Sequence, residues 1–345
     1  MDSVKDPFSF LDFKSVDQLD STPPDVIWYN CISAGDRVMI SGATKSYKSF
    51  FAKQMLYCMN YGLPFLERKM EREFPMVDFD MELREYYCGL RVKAIAKALN
   101  NGDVGRWRSV CLRGKAKLLD ETAIAQIGVR MKSTGRKGFG LDPIYRLQRD
   151  GNGDNSAQEV NTLLDPFDQI STEYDLLFIW IHHHSKGNQA GKTAHERASG
   201  SGGWARYADV IIDLIMHQEQ FCFIVEITQR NFEAIPKFVV EFDIKKLVFV
   251  RRYDLSAEDV QEKEVGRPNK IDGQIEVILA LVRAFEDNGG ISRKDLEGLS
   301  MIPTSSVTKV VKQCSEKIHL SPLDKNYHLT SKYKTQCAGN NGSSC

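Results

Sequence analysis

The chain has 345 residues, 42% of them hydrophobic and 27% charged, with 46 Lys and Arg against 46 Asp and Glu. That size and composition fit one large or two ordinary globular domains. Zero net charge excludes a global basic field, so any nucleic-acid site must be local.

Eight cysteines are scattered along the chain: Cys31, Cys58, Cys88, Cys111, Cys222, Cys314, Cys337 and Cys345. None shows C-x-x-C spacing, which argues against a disulfide framework or a zinc knuckle and for reduced thiols in a cytoplasm. The opening MDSVKDPFSFLDF has no long apolar run and is not a signal peptide. The apolar runs further on are too short to span a bilayer, so no membrane partner is expected.

Residues 1–30 read as an irregular lead-in, because Pro23 and Pro24 break any helix. RVMIS is then a short strand, GATKSYKS a loop and FFAKQMLYCMNYG a helix ending at Gly62, which is the opening of a parallel α/β unit. MVDFDME is a second strand candidate, in which Val77, Phe79 and Met81 alternate with acids. A helix follows through CGLRVKAIAKALN, closed by Asn100 and Gly102. GFGLDPIY is a third strand candidate. LLFIWIHHH has the composition of a central parallel strand buried on both faces. VIIDLIM, FCFIVEIT and KFVVEFD add further strands, so an α/β domain with a mostly parallel central sheet is expected over residues 31–255.

Residues 256–270 turn polar and read as a linker. Over 271–334, apolar residues at helical spacing (Ile275, Ile278, Leu279, Val282, Phe285), two more short helices and the hairpin-like LSPLDKNYHLTSKY suggest a small winged-helix domain. Residues 335–345 read as a disordered tail.

Gly42-Ala43-Thr44-Lys45-Ser46-Tyr47-Lys48-Ser49 matches the phosphate-loop pattern G-x-x-x-x-G-K-[ST] except that Tyr47 stands where the second glycine belongs. That glycine usually permits an unusual backbone and close approach to phosphate, so Tyr47 must bear the strain or hold a different loop. Backbone N–H groups from Lys48 onward, with Phe50 in the first helical turn, would face the β-phosphate of ATP. The Lys48 ammonium would neutralise β and γ oxygens, and the Ser49 hydroxyl would ligate Mg²⁺. An enzyme of this kind also needs an acid beyond an apolar strand to hold Mg²⁺, and a carboxylate to orient the attacking water. Asp80, Glu82 and Asp142 are the candidates; Asp142, halted by Pro143, sits at a carboxyl strand end, where open α/β sheets bind ligands. The plain alternative for Asp80 and Glu82 is solvated acids on an edge strand. His182 and His184 share one face of their strand, with His195 near in sequence. Their spacing suits a polar sensor better than zinc. The small-residue loop between Arg197 and Arg206 could offer Trp204 as a stacking platform for single-stranded DNA, or bury it.

The succession of phosphate loop, FDMEL, GLDPIYRL, FIWIHHHSKGN, RASGSGGWARYAD and TQRNF, from Ile32 to Asp243, resembles the RecA-like P-loop ATPases of the plasmid replicative helicase RepA family. In that family a lysine commonly precedes the phosphate-loop lysine by three residues, as Lys45 does, and the glycine replaced by Tyr47 is missing in some members. The resemblance implies ATP hydrolysis with Mg²⁺, Glu82 as the water-orienting base and Asp142 as the Walker B acid. It implies a γ-phosphate sensor at His182 or His183, and Arg206 and Arg230 as trans-acting or sensing arginines. It also implies a homo-oligomeric ring with single-stranded DNA through its core. In the C-terminal module, Thr304, Ser305, Ser306, Thr308, Lys309 and Lys312 would line a helix starting at Pro303, suited to double-stranded DNA; contacts with protein are the alternative. Two rival readings are a DNA-binding protein using ATP as a switch and an adaptor with a degenerate nucleotide pocket, for which Tyr47 is the argument.

Overall fold

The structure, a computed structural model, describes residues 26–147, 157–184, 203–260, 272–286, 289–300 and 304–334, together with Ile302 and isolated positions between 15 and 25. His195 and Arg197, the remainder of the expected linker from 261, Pro303 and the tail 335–345 lie outside the described residues, as do the side chains of Thr304 and Ser305.

A short antiparallel pair, β1 (Val26–Trp28) and β2 (Ile32–Ser33), precedes the main sheet. Residues 26–30 therefore belong to the folded domain rather than to an irregular lead-in, because Ile27 and Trp28 are fully buried and anchor the chain. The main sheet contains β3 (Arg37–Gly42), β4 (Met76–Asp80), β5 (Ser109–Cys111), β6 (Gly138–Asp142), β7 (Leu177–His183), β8 (Val210–Met216), β9 (Cys222–Gln229), β10 (Phe238–Asp243) and β11 (Val248–Arg252). Its order is β11-β10-β9-β8-β3-β7-β6-β4-β5. The run from β8 to β5 is parallel, and β9, β10 and β11 extend it antiparallel.

Helices cover both faces. α1 (Lys48–Tyr61) and α2 (Glu85–Asn100) pack on one side, and α3 (Glu121–Ser133), α4 (Ala157–Tyr174) and the short α5 (Gly203–Tyr207) on the other. The strand alternation divides the core accordingly: Val38, Ile40, Ile179 and Ile181 face α1, while Met39, Phe178 and Trp180 face α4. α1 is buried on nearly every side. β11, absent from the sequence reading, accounts for this: Phe249 meets Phe51 edge to face, and its backbone N–H and C=O pair with the Gln54 side chain at 2.6 and 3.0 Å. β4 is not the edge strand, since β5 lies outside it; Asp78 and Asp80 are accordingly buried.

The expected linker begins fastened. His217 bridges to Val260, and Leu255, Ala257 and Val260 pack against β8, β9 and β10. The C-terminal module follows as α6 (Asp272–Phe285), β12 (Ile291–Ser292), α7 (Arg293–Leu299), α8 (Thr304–Gln313), β13 (Ile318–Leu320) and β14 (Asn326–Leu329), with an antiparallel sheet ordered β12-β14-β13. It docks on α2: Tyr86 Oη donates to Asp295, and Arg91 Nη2 donates to Gly298 O at 3.3 Å. No helix among the described residues is long and apolar enough to cross a membrane.

The glycines of GFGL in β6 have a steric cause. A Cβ on Gly138 would meet Leu177 O and Met76 Sδ at 2.6 Å, and one on Gly140 would meet Leu56 Cδ1 of α1 at 2.8 Å. Glycine lets the neighbouring strands and α1 close on the strand that delivers Asp142. Gly138→Ala should therefore destabilise the fold by about 1–3 kcal/mol, the usual cost of overpacking, read as a lower urea midpoint. An unchanged midpoint would show that β6 has slack here.

Candidate nucleotide site

The loop from Gly42 to Lys48 joins β3 to α1 at the carboxyl end of the parallel strands. Tyr47 adopts φ 54°, ψ 24°, the left-handed conformation that glycine takes without cost. Its ring is 8% exposed and stacks on Phe242 with centroids 4.1 Å apart, with Phe223 and Phe221 at 6.2 and 6.3 Å. The tyrosine therefore bears the backbone strain and draws compensation from an aromatic pocket on β9 and β10. Lys45 is left-handed too, at φ 70°. Ser46 Oγ donates to Ala43 O at 2.8 Å, folding the loop on itself.

Lys48 is buried. Its Nζ donates to Ala43 O at 2.5 Å and to Ser46 Oγ at 3.3 Å. Burial lowers its ammonium to about 7, against the opposing pull of Asp142, Asp213 and Glu82. Asp142, the last residue of β6, is pushed up to about 7 by burial and then by Asp80, while Lys53 and a hydrogen bond from Ser49 oppose the rise. Ser49 and Asp142 are thus in contact, as a shared cation would require. Hydroxyl and carboxylate oxygens are hard donors, and Mg²⁺ takes one or two protein ligands beside substrate phosphates, so these residues fit it.

Glu82 lies two residues beyond β4. Tyr145 Oη donates to its Oε1, and Arg146 donates to the same oxygen through Nη2 at 3.1 Å and Nε at 3.2 Å. Oε2 is left for a water. Asp80 acts on the backbone instead. Its Oδ1 accepts from the N–H groups of Glu82 and Leu83 at 3.0 and 2.7 Å, shaping the turn that presents Glu82.

The three histidines separate. His182 is on the α4 face, stacked on Trp204 with centroids 4.6 Å apart, and so is turned away from Lys48. Trp204 is fully buried, which removes it as a platform for DNA bases. His183 points to the α1 face, beside Tyr145 and within the fields of Lys48 and Glu82. Burial and then Lys48 lower it to about 4, so its imidazole is neutral near pH 7, and its buried Nδ1 has no hydrogen-bond partner among the described residues. Of the two sensor candidates, His183 has the geometry. His184 hydrogen-bonds Asp213, which also accepts from Ser41 Oγ at 2.7 Å.

Arg206 and Arg230 sit together at the other end of the strands. Arg230 donates to the Arg206 carbonyl, and its Nη1 lies 3.8 Å from Asp209. Asp209 also pairs with Arg37, the first residue of β3. Five residues of strand separate that point from Gly42, about 16 Å, so neither arginine reaches this chain's own phosphate loop.

Sequence reading missed Lys53. One helical turn after Ser49, it is buried between Asp78 at 2.7 Å and Asp80 at 3.0 Å, and those carboxylates with Asp142 raise it despite the cost of burial. The signal was a lysine on an all-apolar helix, with two acids on one face of the next strand. Tyr145 and Arg146 carried no signal, because their role depends on the turn after Asp142.

A phosphate loop between strand and helix, with an acid closing a nearby parallel strand, defines a P-loop NTPase domain of RecA-like α/β fold. The chain belongs to the AAA domain family, whose model matches residues 5–189. No curated protein matches its sequence. Among solved structures it is similar to a helicase ATPase domain (TM-score 0.48, 13% identity, 63% of this chain and 84% of that one). It is also similar to a KaiC-like protein of the hyperthermophilic archaeon Pyrococcus horikoshii OT3 (TM-score 0.44, 17% identity, 64% and 91%). Neither likeness bears on function.

Two outcomes follow from the loop. Relieving the left-handed backbone at position 47 is worth about 1–2 kcal/mol, whereas deleting a buried aromatic ring costs roughly 3–5 kcal/mol. Tyr47→Gly should therefore lower stability while keeping nucleotide affinity; a more stable variant in chemical denaturation would refute the compensation. Lys48 is held below its ordinary 10.5, so the unfolded chain binds more protons above about 7, and stability should rise with pH in that range. Without nucleotide, the melting temperature should climb between about pH 7.5 and 8.5, and Lys48→Met should flatten the climb.

Proposed function

We propose that this chain is a Mg²⁺-dependent ATPase that works as a homo-oligomer on DNA. The observation that carries the reading is the convergence of Lys48, Asp142, Glu82 and His183 at one end of the parallel strands, each in a distinct electrostatic state. Lys48 and the first N–H groups of α1, through Phe50, receive the phosphates. A phosphate beside Lys48 restores the charge that burial disfavours. Ser49 and Asp142 would hold Mg²⁺, which supplies charge neutralisation at the β and γ oxygens. Glu82, fixed through Oε1 by Tyr145 and Arg146, orients a water with Oε2 and takes its proton as oxygen attacks the γ-phosphorus. Neutral His183 offers a ring N–H or lone pair toward the γ-phosphoryl group or that water. Arg206 and Arg230, remote from their own loop, suit a γ-phosphate bound by a neighbouring copy.

DNA as the target is supported by the C-terminal module. Its helix–strand–helix–helix–strand–strand order is that of a winged helix, with Lys309 and Lys312 exposed on α8 while Val307 and Val310 face inward. Thr308 is committed to Arg293 Nη2 at 2.6 Å, so the lysines rather than the hydroxyls lead the contact with double-stranded DNA. The resemblance noted from the sequence places single-stranded DNA in the core of a ring.

The test is ATP turnover with and without single-stranded DNA. Glu82→Gln should bind ATP yet hydrolyse it roughly a hundredfold or more slowly, and Lys48→Ala should abolish turnover with the fold intact. Binding without turnover in the wild type would make the chain an ATP switch.

A further inference from the structure

The neutral chain is not neutral everywhere. Between 101 and 137 it carries nine Lys and Arg against three Asp and Glu, an excess of six positive charges. This segment forms the free edge of the sheet: β5 with its flanking loops, α3, and the approach to β6. Eight of the nine cations are exposed and Arg136 is half-buried. Among the described residues only Arg106 has a carboxylate partner, Glu73.

The loop before β5 is held rigidly. Trp107 Nε1 donates to Ser109 Oγ at 2.7 Å, Ser109 Oγ donates to the buried Asp78 at 3.1 Å, and Tyr57 Oη donates to Asp103 O. On this scaffold Tyr61, Tyr57 and Trp107 form a ladder of rings, with centroids 4.5 and 6.3 Å apart and tilts of 22° and 29°. Tyr61 and Trp107 are half-exposed. Arg108 Nη1 is 2.8 Å from the carbonyls of Gly105 and Trp107, and Arg136 Nη1 is 3.3 Å from that of Arg106. Burial, then the charge of Arg108, holds the Arg136 guanidinium below its ordinary value. Two guanidiniums have been brought close on carbonyl supports, with no acid between them, beside open aromatic faces.

We propose that this edge binds single-stranded nucleic acid, with Arg108 and Arg136 on backbone phosphates and Trp107 beneath a base. The inference rests on the DNA reading above for the choice of polymer, and adds a contact surface outside both the nucleotide site and the C-terminal module. Edge strands also carry cations simply to block sheet-to-sheet pairing, but blocking needs neither a guanidinium pair nor a half-exposed indole.

The experiment measures binding of a labelled single-stranded oligothymidylate to the full chain across a salt series. Arg108→Glu with Arg136→Glu should weaken binding at least about tenfold at low salt, and should reduce the slope of log affinity against log salt by about 0.7 per lost phosphate contact. The paired lysine substitutions should keep the slope. Trp107→Ala should lower affinity with the slope unchanged, because stacking releases no counterions. Arg108→Ala, at an exposed position, gives a milder form of the first result if the double reversal fails to fold. ATP turnover without DNA should not change in any of these. Wild-type binding that survives charge reversal with its slope intact overturns this surface and leaves the DNA reading standing. No wild-type binding at low salt overturns both. Altered assembly mass with unaltered DNA binding makes the face a contact between copies, and also overturns the proposal.

Discussion

Everything at the nucleotide site depends on a buried ammonium. Lys53 lies under the phosphate loop between Asp78 and Asp80, out of water. Charges so buried are costly unless paired and hydrogen-bonded. Here one lysine compensates two acids, and two backbone N–H groups satisfy Asp80 further. Removing the cation would leave two carboxylates facing each other in a dry core, with Asp142 close behind. The pair also ties α1 to β4, which fixes the helix bearing Lys48 relative to the turn bearing Glu82. One interaction thus sets the distance between the group that receives phosphate and the group that activates water.

The sheet divides labour by parity. Successive residues of β7 alternate faces, so His182 is spent on packing against Trp204 while its neighbour His183 enters the site. Direction along the strands divides labour again. Carboxyl ends gather Lys48, Glu82, Asp142 and His183; amino ends gather Arg37, Asp209, Arg230 and Arg206. A chain arranged this way carries two half-sites that cannot meet within one copy. Arg91 adds a third connection: buried near Asp80 and Asp142, it covers Phe50 of α1 at 4.7 Å and donates to Gly298 of the C-terminal module.

The sequence announced the parallel core because its signals are local. Apolar runs such as LLFIWIHH, the phosphate-loop spacing and the capping Gly62 each follow from a few adjacent residues. Lys48, Ser49, Asp142 and Glu82 were legible for the same reason. What stayed hidden depends on long-range pairing. β5 is too short to show a pattern, and β11 ends in two arginines. α3 and α4 passed unread, the latter with Pro166 inside it. The roles of Lys53, Tyr145 and Arg146 exist only once remote segments are brought together. Trp204 and His182 were read as exposed chemistry because burial by a partner ring leaves no trace in linear order.

Tyr47 ties the phosphate loop to a strand nearly two hundred residues later in the chain. A glycine there would be free to sample many backbone states and would have to surrender them when phosphate arrives. With the ring clamped on Phe242, that ordering is completed during folding, so less of the ligand's binding energy goes into shaping the loop. The same clamp makes positions 47 and 242 a single unit of inheritance. Within this architecture, a change to glycine at the first should be accompanied by a change at the second, because the aromatic pocket has no other tenant.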